Sequence, residues 1–110
     1  MIINIWKKQD LGLVKELPLG VISMIEDTIL ILDENYGTER TAQDLGGYIG
    51  VVDKAGIEEL KQHQLKGIVP EYIDEIDGTD YISVLFLCSS DFSIVVICKK
   101  ELKDLIEKID

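Results

Sequence analysis

The sequence predicts an α+β fold, in which two amphipathic helices, at about 54–66 and 99–109, pack on a mainly antiparallel sheet of about five to six strands. Three observations predict it. Short runs rich in β-branched and aromatic residues recur along the chain and end near Gly, Pro or Asp. Two other stretches repeat apolar residues at helical spacing. The 110 residues, 46% of them hydrophobic, match the length of one domain, which we expect to span 1–110.

Strand-forming runs dominate the first half of the chain. Residues 2–6 form one short apolar run, and residues 48–52 form another. Between them, Val21–Ile25 and Thr28–Leu32 are rich in β-branched side chains and are separated by the dipeptide Glu26–Asp27. This spacing predicts a tight hairpin, although Glu-Asp is not a favoured turn pair.

The first amphipathic helix is predicted over about 54–66. Asp53 stands at its N-cap position, where a carboxylate accepts a hydrogen bond from a free backbone N–H. Gly67 suits the position just after the last turn, which favours a left-handed backbone. The apolar positions share one helical face: Ala55, Ile57, Leu60 and Leu65.

A shorter helical segment is predicted after Pro70, because a first helical turn accepts proline. Tyr72, Ile73 and Ile76 would share one face of this segment, and Gly78 would end it. The carboxylates of the same stretch would then fall largely on the opposite face, where they would be solvated.

The apolar stretch Tyr81–Cys98 is the strongest structural signal and predicts a hairpin that turns at 89–91. Both faces of its first strand are apolar, and such a strand is covered on both faces. The two amphipathic helices, the second starting near Lys99, can cover one face of the sheet. The other face must be covered by the N-terminal segment or by a second copy of the chain, which leaves a homodimer open.

Both cysteines lie in the arms of this hairpin. Pairing about the turn would place Cys88 opposite Ser93. Cys98 would then lie opposite Ser83, so the two thiols are too far apart in register for a disulfide. We expect reduced thiols buried as small hydrophobes. The opening residues lack the order of a secretory signal, and no apolar run reaches the length of a spanning helix, so a cytoplasmic protein without membrane association is expected.

Negative charge is concentrated in two segments. Residues 33–44 hold four carboxylates against the single Arg40, a net charge of −3, and residues 71–80 hold five carboxylates and no basic residue, a net charge of −5. Together they carry −8 of the formal −10. Charge concentrated in this way steers a basic partner toward one surface. Direct binding to nucleic acid or to anionic lipid is not expected, because both need clustered Lys and Arg.

Two motifs near the first acidic segment fall short of a ligand site. Residues 33–44 place oxygen-bearing side chains at several positions of an EF-hand loop, but Thr38 replaces the glycine that its sharp turn needs. Gly46, Gly47 and Gly50 lead into a β-prone run rather than a helix. A turn or bulge with positive φ is expected there instead of a phosphate-binding loop. No metal or cofactor is therefore expected.

Catalytic groups are sparse. His63 is the only histidine, and it lies between polar neighbours on the predicted helix. Pairing it with Cys88 for nucleophilic catalysis would require a mid-strand thiol at the surface. Paired carboxylates could do acid–base work only if two of them converged in a cleft, and those of 71–80 are expected to be exposed. We expect no enzymatic activity.

These observations favour a small acidic module that binds a basic protein surface, in the manner of an immunity or inhibitor protein. Tyrosines inside the acidic segments can act as anchors while the carboxylates guide the encounter. A structural or regulatory homodimer is the alternative. A DNA-mimic inhibitor is a further alternative, which two separate clusters match less well. The residues expected to contact the partner are these: Asp33, Glu34, Tyr36, Glu39, Tyr72, Asp74, Glu75 and Asp77.

Overall fold

A computed structural model describes residues 1–14, 16–36, 47–89 and 92–107, and within these ranges it describes the side chains of all but residues 32–36. The strands are β1 (Ile2–Ile5), β2 (Gly47–Val52), β3 (Tyr72–Glu75), β4 (Tyr81–Ser89) and β5 (Phe92–Lys99). The α-helices are α1 (Leu19–Tyr36), α2 (Lys54–His63) and α3 (Lys103–Glu107). Two 3₁₀ helices cover Lys8–Leu13 and Lys100–Leu102.

All of these strands belong to one sheet with the order β1-β2-β5-β4-β3. β2 and β5 pair in parallel, whereas the other neighbouring strands are antiparallel. The parallel pair arises because the chain crosses back through α2 and the β3–β4 hairpin before it enters β5. The predicted α+β class is therefore confirmed, as a mixed five-stranded sheet with helices packed on it.

The predicted hairpin at Val21–Ile25 and Thr28–Leu32 is wrong, because both runs belong to the single helix α1. The buried residues Val21, Ile25 and Ile29 recur every four positions, which places them on one helical stripe. Short apolar runs are ambiguous between strand and helix, and burial of this stripe against the sheet favours the helix. The unfavoured Glu-Asp pair does not form a turn.

The predicted short helical segment after Pro70 is also wrong, because Tyr72–Glu75 forms the strand β3. It pairs antiparallel with β4, and Tyr72 lies opposite Leu85. A single helical turn is marginal in water, whereas the edge of β4 supplies hydrogen-bond partners to every second residue. Gly78, with a φ of +75°, then allows the tight turn that leads back into β4.

Helices form at both predicted positions but are shorter than predicted. α2 ends at His63 instead of about 66, and Lys99 belongs to β5, so the second helical region begins at Lys100. α2 begins at Lys54, and the Asp53 carboxylate accepts a hydrogen bond from the Gly56 N–H at 2.8 Å. The same carboxylate pairs with the amino group of Met1, which ties that residue to the start of α2. The second 3₁₀ helix leads directly into α3, and residues 108–109 of the predicted helix lie outside the described residues. Among the described residues, every helix is too short or too polar to span a bilayer.

The sheet carries a buried apolar layer on each face. One layer joins α2 and α3 to the sheet through Ile57, Leu60 and Ile106. The opposite layer joins α1 to it through residues that include Val21 and Ile25. Successive residues of β2 and β5 alternate between the two layers, so the central strands are buried on both sides. The second apolar face that the sequence predicts is thus covered by α1 of the same chain.

Both cysteines are free thiols, as predicted. The register of the β4–β5 hairpin differs by one residue from the expected one, because Cys98 lies opposite Ile82 instead of Ser83. A register irregularity near the turn accounts for the difference. Cys98 is fully buried and Cys88 is half-buried.

Candidate functional site

The second acidic segment forms the outermost strand of the sheet and the turn that follows it. β3 is the last strand in the sheet order, so among the described residues it has a neighbouring strand on one side only. Residues 71–80, hereafter the acidic edge, contain five carboxylates, each on an exposed residue: Glu71, Asp74, Glu75, Asp77 and Asp80. The strongest charge concentration of the sequence therefore lies at a border of the fold.

Alternation along β3 divides its side chains between the two faces of the sheet. Ile73 packs half-buried against the layer under α2 and α3, and Glu75 points to that same face. Tyr72 and Asp74 point to the face covered by α1. Because Ile73 anchors the strand, the two carboxylates beside it are held at the surface on opposite faces.

A compact turn positions the remaining acidic residues between β3 and β4. The Ile76 N–H donates to the Tyr81 carbonyl at 3.0 Å, and the Thr79 N–H donates to the Ile76 carbonyl at 3.1 Å. The Thr79 hydroxyl donates to that carbonyl at 2.9 Å and accepts from the Tyr81 N–H at 3.1 Å. Asp77 and Asp80 lie within this hydrogen-bonded turn, so their backbone positions are well defined.

One ion pair reaches the acidic edge within the described residues. Lys100 Nζ lies 3.0 Å from Glu75 Oε2, and both side chains are about half exposed. An exposed pair of this kind contributes at most about 1 kcal/mol to stability. The other four carboxylates have no cationic partner in the described part of the chain, so their charge is available to a binding partner.

An exposed apolar patch adjoins the acidic edge on the α1 face. Tyr72 is 61% exposed and Leu87 is 52% exposed, while Leu85, which pairs with Tyr72, is half-buried. α1 packs over β2 and beside the first 3₁₀ helix, which lies against β1. Among the described residues, the part of this sheet face that carries Tyr72 and Leu87 is left exposed, and the ring of Tyr72 stands there next to Asp74.

The first acidic segment starts at the far end of α1 from the β3–β4 turn. Gly20, in the first turn of α1, lies so close to that turn that a Cβ there would be 3.3 Å from Thr79 Cγ2. The helical rise places the backbone of Asp33 about 20 Å further along the helix axis. The predicted contact residues of this segment have side chains outside the described part of the structure: Asp33, Glu34, Tyr36 and Glu39.

The structure brings the other four predicted contact residues together on the acidic edge: Tyr72, Asp74, Glu75 and Asp77. Sequence reasoning missed two neighbours of this group, Leu87 and Lys100. The period-two pattern of β4 places Leu87 on the same face as Leu85, but its nearness to Tyr72 depends on the strand pairing. Lys100 is 25 residues from Glu75 along the chain, and only the sheet order brings the two together.

The groups weighed for ligand binding or catalysis have surroundings that do not favour those roles. Within the described residues no three His, Cys, Asp or Glu side chains converge to hold a metal ion, and the side chains of the EF-hand-like residues 33–44 lie outside that part. Gly47 begins β2 with a φ of +142°, as expected of a glycine in a turn or bulge.

Burial raises the pKa of the Cys88 thiol, whereas a nucleophile needs a thiolate. His63 lies in a shallow surface depression beside Tyr48.

The chain matches no protein family, no curated protein and no solved structure. Its function must therefore be inferred from its own residues, and the acidic edge is the feature that best distinguishes its surface.

Proposed function

We propose that this chain is a small protein-binding module whose acidic edge docks on a basic surface of another protein. The observation that carries the proposal is the gathering of five exposed carboxylates on one border strand and its turn. Lys100 is the one cation paired with them among the described residues. The fold thus presents a local excess of negative charge on a backbone that the sheet holds in place.

The chemistry of the acidic edge suits recognition of a cationic surface. Clustered charge of one sign raises the rate of encounter with an oppositely charged protein, and close charge pairs set the register of the complex. Tyr72 adds an exposed ring beside Asp74, and tyrosine is enriched among residues that dominate binding energy. Charge would guide the approach, and the ring with Leu87 would supply apolar contact.

The finer proposal is an inhibitor or immunity-type role, in which the acidic edge masks a nucleic-acid-binding groove of the partner. Proteins that bind polyanions expose clustered Lys and Arg, which is the surface that five neighbouring carboxylates complement. The support for this role is the charge distribution, and the analogy is to a class of proteins rather than to a family.

The two alternatives have less support. The homodimer hypothesis depends on an apolar sheet face that needs a cover, and α1 already covers the part of that face formed by β2 and β5. A DNA mimic needs carboxylates spaced along a line across the surface, whereas the carboxylates of the acidic edge are clustered within ten consecutive residues.

Reversal of charge on the acidic edge tests the proposal. The whole chain is immobilised, exposed to lysate from its source at low salt, and eluted with a salt gradient. We expect recovery of one basic protein, and loss of that protein when Asp74→Lys and Glu75→Lys are combined. With the purified partner, the reversed variant should associate more slowly, and the salt dependence of its association rate should be weaker.

The matched control reverses two exposed carboxylates on α2, Glu58→Lys and Glu59→Lys, which changes the net charge equally at another surface. This control should keep most of the binding. Equal loss in both variants would show that net charge alone matters, and unchanged binding in the edge variant would rule out the acidic edge as the docking site.

A further inference from the structure

The outer side of β3 carries backbone N–H and C=O groups that no strand of the described sheet pairs with. In an antiparallel pair, residues alternate between those bonded to the neighbouring strand and those whose N–H and C=O point away from it. The hydrogen bond from the Ile76 N–H to the Tyr81 carbonyl, together with the register from Tyr72 to Glu75, sets this alternation for β3. Tyr72 and Asp74 therefore bond to β4, and the N–H and C=O groups of Ile73 and Glu75 point outward. The alternation breaks just before β3, where the Glu71 N–H also bonds to β4, at the Leu85 carbonyl.

The residues of β3 do not block the backbone pairing of another strand on its outer side. Natural sheet edges are protected by proline, by bulges, by covering segments or by charge. Between Tyr72 and Glu75, β3 contains no proline and its register with β4 is continuous. Pro70 and the irregular pairing of Glu71 with Leu85 lie just before the strand, so they limit a pairing segment to the length of β3. From Tyr72 to Glu75 the protection that remains is charge, and charge disfavours only those strands that bear the same sign.

The charges of β3 select the kind of strand that can pair with it. In a pair formed with a second copy of this chain, Asp74 and Glu75 would face carboxylates or lie beside them, and like charges across a strand pair are destabilising. A strand that carries Lys or Arg would instead form opposite-charge pairs at the same positions. The favoured occupant is therefore a basic segment of another protein.

The order of residues along β3 specifies this segment further. Two apolar residues, Tyr72 and Ile73, are followed by two acidic ones, Asp74 and Glu75, so each sheet face offers one apolar and one acidic position. An antiparallel partner strand complements this order when two basic residues precede two apolar ones. Such a strand would place an apolar side chain beside Tyr72 and another beside Ile73.

We infer that the partner binds by strand addition: an extended segment with two basic residues followed by two apolar residues pairs antiparallel with the outer side of β3. This inference depends on the proposed function and adds the mode of binding to it. Backbone hydrogen bonds to Ile73 and Glu75 would supply affinity, and the paired side chains would supply specificity.

The probe is the eight-residue peptide STKKVVTS, titrated into the full-length ¹⁵N-labelled chain and followed by amide hydrogen exchange. We expect exchange at the N–H groups of Ile73 and Glu75 to slow about tenfold near saturation, because these amides become hydrogen-bonded. The N–H groups of Tyr72 and Asp74 already bond to β4, so their exchange should change much less. The peptide STKVKVTS, of the same composition, should bind more weakly because its basic and apolar residues alternate.

Two substitutions at one position separate the backbone from the charge. Glu75→Pro and Glu75→Ala both remove the carboxylate and its contact with Lys100, but only proline also removes the outward N–H. Since that N–H takes no part in pairing with β4, an edge position of this kind accepts proline. We expect Glu75→Ala to weaken peptide binding and Glu75→Pro to abolish the protection of Ile73. Thermal melting of both variants checks folding, and the exchange experiment on the parent chain does not depend on either variant.

The outcomes distinguish the two proposals. Strand addition is overturned if the peptide binds without protecting Ile73 and Glu75, or if the two variants at position 75 bind equally well; the charge-based proposed function survives both results. Unchanged peptide binding after the combined reversal at Asp74 and Glu75 also overturns strand addition, whereas unchanged binding of the purified partner to that variant overturns the proposed function itself. No binding at millimolar peptide overturns strand addition and leaves the charge as protection of a free edge.

Discussion

At the residue scale, Gly56 shows how closely the first residue of the chain approaches α2. A Cβ at this position would lie 2.5 Å from the Met1 carbonyl oxygen and 3.0 Å from Val52 Cβ. We predict that Gly56→Ala destabilises the protein by about 1–3 kcal/mol, because backbone atoms must move to admit the methyl group. Urea denaturation measures the change in the free energy of unfolding.

Gly12 provides the matched control for this substitution. A Cβ at Gly12 would have no heavy atom within 4 Å, and the backbone there is not left-handed. Gly12→Ala should change stability by no more than about 0.5 kcal/mol. Equal effects of the two substitutions would contradict the close packing of Met1 on α2.

At the element scale, α1 is the cover of one sheet face, and the stability of the fold should depend on its buried stripe. Ile25 is completely buried in the layer between α1 and the sheet. We predict that Ile25→Ala costs about 2–5 kcal/mol, because the lost side chain leaves a cavity between two well-packed elements. Chemical denaturation monitored by circular dichroism checks the value.

Leu30, on the same helix, is 61% exposed and serves as the control for this effect. Leu30→Ala should cost no more than about 0.5 kcal/mol. If both substitutions cost the same small amount, α1 does not cover the sheet, and the apolar face would again require a second copy of the chain.

β3 shows at the same scale why part of the site could be predicted and part could not. The acidity of residues 71–80 and the exposure of their carboxylates follow from composition, and four of the predicted contact residues lie there together. The strand itself was not predictable from this stretch, because four residues are too few to establish a period. Its conformation depends on the edge of β4, which becomes available only after the hairpin has formed.

At the scale of the whole molecule, the buried layer under α2 and α3 contains two groups that titrate at high pH. Burial raises the pKa of the Cys98 thiol from 9.0 to about 12 and that of the Tyr48 phenol from 10.0 to about 12. In the unfolded chain these groups lose their protons near the ordinary values, so the unfolded state binds fewer protons above pH 9. We predict that stability falls as pH rises from about 9 toward 12.

Tyr48→Phe tests the tyrosine contribution. The substitution keeps the ring contacts of Tyr48 with Trp6 and Phe92 but removes the phenol, which donates to Gln64. We expect the loss of melting temperature between pH 10 and 12 to become smaller in this variant. Tyr72→Phe, on the exposed edge strand, controls for the removal of a phenol. An unchanged slope in Tyr48→Phe would contradict the buried environment of this ring.

The sequence alone determined the features that depend on composition and on long local patterns. These are the α+β class, the central two-sided hairpin, the capped helix after Asp53, the reduced cysteines and the concentration of charge in 71–80. Each depends on a run of residues long enough to show its period, or on a sum of charges that no fold can alter.

Only the tertiary structure decided the conformations of the ambiguous segments and the neighbours of the acidic edge. Val21–Leu32 carries residues compatible with strand or helix, and the helix forms because its stripe of every fourth residue can be buried against an uncovered sheet face. Tyr72–Glu75 becomes a strand because β4 has unpaired backbone groups to offer. In both cases the free energy that selects the conformation comes from contacts with residues distant in sequence, which no local pattern contains.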